Sequence, residues 1–329
     1  MLHIPAPVLA LALLTPGGGA AVQKGDQFRV ERSLDAMGTT YTVVVYGTDR
    51  FGLDAILDRA FDEVRRLDDL LSNYKPESEW SQINRQAAGG PFPVSQEVYD
   101  LLASCVEYSR ASQGAFDITV GPLMKVWGFY RGTGRLPHRA QIRDAMARVG
   151  WRHIQLDPSR RTVFFARRGL EIDPGGIAKG YAVDRIAALL RNSGVASGLI
   201  YAGRSSIYAM GAPPSDARGW RVAIPNPRRP SQDAFEVFLR NESMSTSGST
   251  ERFFFAAGHR YSHLMDPRSG YPAQGMLAVS VVAPRGIDSE AWTKPFFVLG
   301  RNWTARNKPS NFRVFLCEDL PEQPCVSLP

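Results

Sequence analysis

A chain of 329 residues is long enough for one large domain or two modest ones, and 44% hydrophobic with 22% charged residues is the composition of an ordinary globular protein. The formal charge of +7 is spread over scattered basic residues. Because they form no long basic run and accompany no nucleic-acid-binding motif, we expect no nucleic-acid partner. An anionic ligand would suit this charge, but net charge alone does not identify one.

The first residues have the pattern of a secretory leader. Val8–Leu14 is a short apolar run, and residues 15–21 after it are mostly small. This order matches the apolar core and cleavage region of a signal peptide, and the run is too short to span a bilayer. We therefore expect a leader over residues 1–25, export to the periplasm or cell envelope, and no integral membrane span in the mature chain.

The next elements are predicted from their hydrophobic periodicity. Phe28–Leu34 and Thr39–Tyr46 alternate as two strands of a hairpin, with its turn at residues 35–38. Phe51–Leu71 carries one apolar face at helical spacing, which predicts an amphipathic helix. Ser78 is placed to cap a further helix.

The next helix is predicted from Ser95, as its cap, to about Ser112. The apolar segment Ala115–Phe129 follows and contains polar residues such as Asp117 among aromatic ones. Polar side chains among aromatic rings could line a pocket for a planar ligand. The alternative is a core segment with a turn.

The stretch Glu171–Asp184, EIDPGGIAKGYAVD, is the most distinctive in the chain. A predicted strand runs through a glycine turn at residues 173–176 into a predicted helix, with Lys179 in its first turn. Free N–H groups at a helix start and close-approaching glycines favour an anion, so this is a candidate phosphate cradle. The alternative is a capped turn with a solvent-exposed lysine, since the P-loop spacing is absent.

The region after this helix is rich in short strand patterns. Gly198–Ala209 is predicted as a strand pair broken at residues 202–206. The hydroxyl-rich stretch Ser243–Gly248 resembles a helix start or an oxyanion-binding loop. No regular alternation of strand and helix is visible, which predicts an α+β fold with mixed or antiparallel sheets and packed helices.

One histidine lies in a predicted strand beside an acidic turn. Phe253–Phe255 and Tyr261–Met265 are predicted to pair as a hairpin, which places His263 in its second strand. His263 could serve as a base near neutral pH. The alternative is a structural histidine hydrogen-bonded to Asp266.

Acidic residues open the last predicted helix, Asp288–Gly300, with Asp288 or Ser289 as its cap. Asp288 and Glu290 could bind a hard cation such as Mg²⁺, or could be first-turn acids favoured by the helix dipole.

The cysteines leave two possibilities open. Cys317 and Cys325 could close a small loop in an oxidising compartment and would be free thiols in the cytosol. Cys105 lies in an apolar run and is predicted to be core.

Six stretches, taken in order, resemble the FAD:protein FMN transferase (ApbE) family over most of the chain, from about Met37 to Gly300. They are MGTTYTV at Met37, LSNYKPESEWSQIN at Leu71, GAFDITVGPLMKVWGF at Gly114, IDPGGIAKGYAVD at Ile172, STSG at Ser245 and HLMDPRSGYP at His263.

The resemblance implies a single exported α+β domain over residues 26–329, with two packed α+β halves as the alternative arrangement. It implies an enzyme that splits FAD and, with Mg²⁺, places FMN through a phosphoester on a threonine or serine of a target protein. His263 would be the base and Lys179 a catalytic contact to FAD. The positions that would contact FAD are Met37, Tyr74, Ala115, Phe116, Asp117, Asp173, Lys179 and Leu264.

The metal positions depart from the family pattern. Gly176 matches a carbonyl ligand, but Glu290 stands where the family has aspartate and Lys294 where it has threonine. A protonated lysine has no lone pair for a metal, so Thr293 or Asp288 would have to take that place, or the Lys294 ammonium would replace part of the metal charge. Two alternatives to a transferase stay open: an FAD pyrophosphatase that would use the same site and release FMN and AMP, and a non-catalytic flavin-binding protein in which Lys294 has displaced the metal.

Overall fold

The computed structural model describes residues 27–320 and 324–329, so the leader predicted over residues 1–25 lies outside the described residues. Its α-helices are α1 (Arg50–Leu71), α2 (Glu79–Gln86), α3 (Gln96–Ala111), α4 (Gly121–Val126), α5 (Arg139–Met146), α6 (Ala178–Asn192) and α7 (Gly286–Asn307). Its strands are β1 (Phe28–Ala36), β2 (Thr39–Gly47), β3 (Phe92–Pro93), β4 (Ile154–Asp157), β5 (Thr162–Phe165), β6 (Ser197–Ala202), β7 (Ser206–Met210), β8 (Trp220–Asn226), β9 (Arg229–Leu239), β10 (Glu242–Gly248), β11 (Phe253–Ala256), β12 (His259–Ser262), β13 (Met265–Asp266), β14 (Tyr271–Pro272), β15 (Met276–Ala283), β16 (Arg313–Glu318) and β17 (Val326–Leu328).

An eight-stranded sheet organises the described residues, in the order β1-β2-β6-β7-β10-β15-β16-β17. Each neighbouring pair in it is antiparallel. Sequential strands often pair directly, which explains why no regular strand-helix alternation is visible in the sequence. The predicted α+β class is confirmed.

The two faces of this sheet bury different partners. In β2, Val43 and Val45 pack with residues of α1 and α6, whereas Val44 faces the other way, against the hairpin β8–β9. Adjacent residues of a strand point to opposite faces, so one strand can serve both cores. Helices α1 and α6 therefore cover one face of the sheet, and the hairpin β8–β9 covers the other.

Helices α6 and α7 approach each other closely at two glycines. A Cβ atom on Gly180 would lie 2.3 Å from the Gly286 carbonyl oxygen and 2.8 Å from the Glu290 Cβ. Asp184 of α6 accepts hydrogen bonds from the backbone N–H groups of Gly286 (2.6 Å) and Ile287 (2.8 Å). These contacts fix the start of α7 against the first turns of α6.

Gly180→Ala is expected to destabilise the fold by about 2 kcal/mol, because overpacking outweighs the gain in helix propensity of about 1 kcal/mol. Urea unfolding of the variant measures this loss. Gly90→Ala is the control, since nothing lies within 4 Å of the added Cβ. A Gly180→Ala variant as stable as this control would contradict the tight approach.

The hydroxyl-rich stretch Ser243–Gly248 was expected to be a helix start or an anion-binding loop, and this prediction is wrong. It lies within strand β10, in the middle of the sheet. Ser243 and Ser245 are hydrogen-bonded to Ser289 of α7, at 2.9 and 2.8 Å. The hydroxyl groups of one strand face are thus satisfied by a helix, so they need no loop or solvent.

Two other predictions need correction at single residues. His263 follows β12 and does not lie within it, and Asp266 pairs with Arg268 and not with His263. Helix α7 starts at Gly286, before the predicted Asp288, and its cap residue is Arg285. The free N–H groups there bond to Asp184 from another helix, a partner that local spacing does not reveal.

The hairpins predicted at residues 28–46 and 253–265 are present, as β1–β2 and β11–β12.

Cys317 and Cys325 form a disulfide, and Cys105 is buried as a free thiol. Within residues 27–320 and 324–329, no helix has the length and apolar character to cross a membrane.

Candidate functional site

A buried carboxylate between two lysines lies at the start of α6. Lys179 Nζ lies 2.9 Å from Glu290 Oε1, and Lys294 Nζ lies 3.9 Å from the same oxygen. The backbone N–H of Gly180 donates to the other carboxylate oxygen. The Glu290 side chain is 2% exposed, whereas the lysine side chains are 26% and 21% exposed. The two ammonium groups therefore reach from a buried acid toward the surface.

The charges of this cluster support one another. Burial opposes the charge of Glu290, but Lys179 and Lys294 hold its pKa below the ordinary value. Burial likewise opposes the charge of Lys179, but Glu290 raises the pKa of that lysine. Burial and the Lys179 charge lower the pKa of Lys294 to about 8, against the opposing effect of Glu290. The carboxylate of Glu251 acts on both lysines in the same direction as Glu290 does.

The glycine turn lies beside this cluster. Asp173 accepts a hydrogen bond from the Gly175 N–H at 2.7 Å and opens a short 3₁₀ turn, Pro174–Gly176, which leads into α6. Gly176 faces Lys294, whose Cε would lie 3.6 Å from a Cβ at that position. The predicted cradle is therefore a turn with ammonium groups at its edge, although the Gly180 N–H already serves Glu290 and is not free for a ligand.

Asp173 is held from three sides. Besides Gly175, it accepts hydrogen bonds from Asn73 Nδ2 at 3.3 Å and from the Tyr130 hydroxyl. Burial raises the pKa of Asp173, while these donors act in the opposite direction. The carboxylate is thus a rigid part of the turn.

His263 lies at the end of the hairpin β11–β12 and is neutral. Its Nδ1 lies 3.3 Å from the Arg252 carbonyl oxygen. Since a carbonyl only accepts, this bond places the proton on Nδ1 and leaves a lone pair on Nε2. Burial, together with the charges of Arg252, Lys179 and Lys294, lowers the pKa of His263 to about 3. The same ammonium groups that border the turn therefore act on this imidazole.

The remaining predicted contact residues have different surroundings. The Tyr74 ring is exposed and meets Tyr130 edge to face, with ring centroids 6.2 Å apart. Ala115, Phe116 and Leu264 are buried. The ring of Phe116 borders Gly176.

Two further predicted contacts are already hydrogen-bonded within the chain. Met37 has a positive φ of 51° in the β1–β2 turn, and its N–H donates to Asp68 at 3.0 Å. Asp117 is buried and accepts hydrogen bonds from the N–H groups of Thr119 (2.8 Å) and Trp151 (2.9 Å). The Met37 N–H group and the Asp117 carboxylate are therefore occupied by hydrogen bonds that hold the fold.

The expected metal ligands are not arranged as an open metal site. The Thr293 hydroxyl donates to the Glu290 carbonyl oxygen at 2.7 Å and accepts from Ser247 at 2.8 Å. Asp288 is engaged by Arg285 and Tyr108. Among residues 27–320 and 324–329, no group of three or more acidic, histidine or cysteine side chains could hold a metal ion.

Comparisons with known proteins identify the family. The sequence model of the ApbE family matches residues 37–314. This chain belongs to the ApbE family. An ApbE relative from Klebsiella pneumoniae (strain 342), named FAD:protein FMN transferase, is 32% identical over 268 residues, 80% of each chain. One of the same name from Salmonella typhimurium is 32% identical over 274 residues, covering 80% of this chain and 77% of its own.

Solved ApbE structures share the fold. The Pseudomonas stutzeri flavinyl transferase ApbE, in its apo form, matches with a TM-score of 0.80 and 30% identity, over 93% of this chain and 96% of its own. The ApbE protein of Thermotoga maritima matches with a TM-score of 0.81 and 27% identity, over 89% and 95%. The resemblance predicted from six sequence blocks is confirmed.

Sequence reasoning missed three residues that position the candidate site. Asn73 and Tyr130 hold Asp173 from distant segments, and no local pattern connects them. The carbonyl of Arg252 holds the His263 ring. This partner could have been found from the hairpin predicted in the sequence. The hairpin register pairs Phe253 with Ser262, which places Arg252 opposite His263.

The low pKa of His263 predicts an acid-sensitive contribution to stability. Because the folded chain binds this proton more weakly than the unfolded chain, the contribution is complete above about pH 6.5 and is lost as the pH falls toward about 3. Relative to His263→Asn, the unaltered chain should lose up to about 1.4 kcal/mol of unfolding free energy per pH unit between about pH 6 and about pH 4.5.

Urea unfolding at several pH values measures this difference. His259→Asn, on the exposed surface of β12, is the matched control. Equal pH slopes for the two histidine variants would contradict the environment described for His263.

Proposed function

We propose that this protein is an FAD:protein FMN transferase, which splits FAD, attaches FMN through a phosphoester to a threonine or serine of a target protein, and releases AMP. The observation that carries the proposal is a neutral imidazole, that of His263, on which the ammonium groups of Lys179 and Lys294 beside the glycine turn act electrostatically. The names of the ApbE relatives support it.

The proposed reaction is a displacement at phosphorus. The acceptor hydroxyl oxygen bonds to the FMN-side phosphorus, and the bond from that phosphorus to the bridging oxygen breaks. AMP leaves with the bridging oxygen, and the hydroxyl proton goes to Nε2 of His263. The imidazole is free to take it because its proton lies on the other nitrogen, against Arg252.

Besides the base, the site would supply positive charge to stabilise the reacting pyrophosphate. Lys179 and Lys294 would neutralise the pyrophosphate as negative charge develops on the leaving phosphate. A bound pyrophosphate would also offset the positive field that lowers the pKa of His263, so substrate binding would make the imidazole a stronger base.

The FAD positions follow from the same proposal. Tyr74 would lie beside the flavin ring, where its exposed face is available, and Asp173 with Phe116 would border the nucleotide at the turn. Met37, Ala115, Asp117 and Leu264 are the further proposed contacts.

Magnesium, expected at Gly176, Glu290 and Thr293, does not fit these side chains as they are arranged. Mg²⁺ requires several oxygen ligands in near-ideal octahedral geometry. Here the Glu290 carboxylate is bonded to Lys179 and Gly180, and the Thr293 hydroxyl is bonded within the chain. No step of the proposed reaction is therefore assigned to a metal.

We further propose that the protein acts outside the cytosol, in the periplasm or cell envelope. The disulfide between Cys317 and Cys325 supports this, because disulfides persist in oxidising compartments. The signal-like stretch at residues 8–21 is the second support.

The test mixes the purified protein with FAD and a flavin-accepting partner protein, with Mg²⁺ or with EDTA. AMP release is followed by chromatography, and covalent flavin on the partner by fluorescence after denaturing electrophoresis. Equal amounts of AMP and labelled partner are expected.

Other outcomes would replace the proposal with a defined alternative. AMP and FMN without label on a competent partner would identify a pyrophosphatase, with water as the nucleophile. Intact bound FAD in each condition would identify a flavin-binding protein.

A further inference from the structure

We propose that Lys294 is a built-in cation at the phosphate end of the site, so that this chain binds the FAD pyrophosphate with two ammonium groups and without a divalent metal ion. The inference rests on the proposed function only in naming the pyrophosphate as the anion. It concerns which cation neutralises that anion.

The first observation is that the buried carboxylate of Glu290 already has two cationic partners, Lys179 and Lys294. Glu290 Oε1 lies 2.9 Å from Lys179 Nζ and 3.9 Å from Lys294 Nζ, and its other oxygen accepts from the Gly180 N–H. A divalent ion on this carboxylate would have to share it with two ammonium groups at close range, which like-charge repulsion disfavours. Without a divalent ion, the site already has two ammonium groups, those of Lys179 and Lys294, to offer an anion.

The second observation is that Lys294 is held in place. Its Nζ donates to the Glu290 carbonyl oxygen at 2.9 Å, one helical turn back, which is the direction in which helical side chains point. Its Cε lies beside Gly176, 3.6 Å from where a Cβ atom would stand, at the turn that would receive the phosphate. The ammonium is therefore a fixed part of the site, whereas a solvent lysine would sample many rotamers.

The third observation is that the neighbouring oxygen atoms already take part in hydrogen bonds within the chain. The Glu290 carbonyl accepts from both Thr293 (2.7 Å) and Lys294 (2.9 Å), and the Thr293 hydroxyl accepts from Ser247 (2.8 Å). An incoming Mg²⁺ would need to break several of these bonds to collect oxygen ligands. Removing the Lys294 ammonium would remove one of the two repelling charges and one of the two donors to the Glu290 carbonyl.

The test is a titration with Mn²⁺, which takes the same hard oxygen ligands as Mg²⁺ and whose free ion gives an EPR signal. It is done on the unaltered chain and on Lys294→Thr, each with and without FAD. The matched control is Lys308→Thr, which removes an ammonium at the C-cap of α7, beyond the kink at Gly300. FAD affinity is measured in parallel in Mg²⁺ and in EDTA.

The unaltered chain and Lys308→Thr should bind no Mn²⁺, and their FAD affinity should be the same in Mg²⁺ and EDTA. Lys294→Thr should bind a single Mn²⁺ when FAD is present, and EDTA should weaken its FAD affinity by about tenfold or more. If Lys294→Thr does not fold, Lys294→Gln provides the same test, since its amide oxygen can bind the ion.

Stoichiometric Mn²⁺ binding by the unaltered chain with FAD would overturn the proposal. So would a folded Lys294 variant that still binds no Mn²⁺, because another feature would then exclude the metal. None of these readouts needs an acceptor protein. A chain that passes them but labels no partner would refute the transferase function and leave this inference standing.

Discussion

His263→Ala is expected to lower the rate of flavin transfer by about 10²–10⁴-fold, while FAD affinity changes little. The imidazole would take the acceptor proton through Nε2, and alanine leaves no group to receive it. The side chain bonds to the Arg252 carbonyl and to no residue of the glycine turn, so FAD binding should survive. Single-turnover measurement of labelled partner at saturating FAD checks the rate, and flavin fluorescence quenching checks the binding.

His259→Ala is the matched control for this experiment, because His259 lies on the same hairpin and its side chain is exposed. It should leave both quantities unchanged. If His263→Ala transferred flavin at the unaltered rate, the base would have to be another group. If it lost FAD affinity and rate together, His263 would be part of the binding surface.

Glu290→Ala is expected to destabilise the folded chain by about 3 kcal/mol. The substitution leaves two ammonium groups facing each other without the acid that stabilises both, and the Gly180 N–H without its acceptor. Saturating FAD should restore part of the loss, because its pyrophosphate returns negative charge to the same place. Guanidinium unfolding with and without FAD measures both effects.

The control for this variant is Asp69→Ala, which removes an acid whose side chain is 73% exposed and paired with Lys75. An exposed pair contributes about 0–1 kcal/mol, so little change is expected. A loss for Glu290→Ala no larger than this control would mean that the two lysines move apart into solvent, and that the cluster is not a fixed site.

The parts of the fold that depend on neighbouring residues were predictable from the sequence. Ser78 and Ser95 cap helices as expected, accepting from the N–H groups of Ser81 (3.0 Å) and Val98 (3.3 Å). Helix α1 was placed from its apolar spacing with an error of one residue at its start. In these cases the decisive interactions lie within one turn of the chain.

The parts that depend on distant segments were not predictable. The sequence pattern of the β10 serines is also typical of a loop, because their hydrogen-bond partners, Ser289 and Thr293, are more than forty residues away. An acidic residue such as Glu290 is common near a helix start, and only the close approach of α6 and α7 shows that it pairs with Lys179. The family resemblance supplied the candidate site residues, but the cation arrangement at Lys294 required the structure.

The hydrogen bonds between β10 and α7 have a consequence for ligand binding. Ser243, Ser245 and Ser247 tie α7 to the sheet at two successive turns, at the level of Glu290 and Lys294. A helix fixed in this way cannot slide or rotate to meet an anion without breaking buried bonds. The entropy of ordering the charged groups has therefore been lost already during folding, and an anion that binds there meets a preorganised site with little further ordering cost.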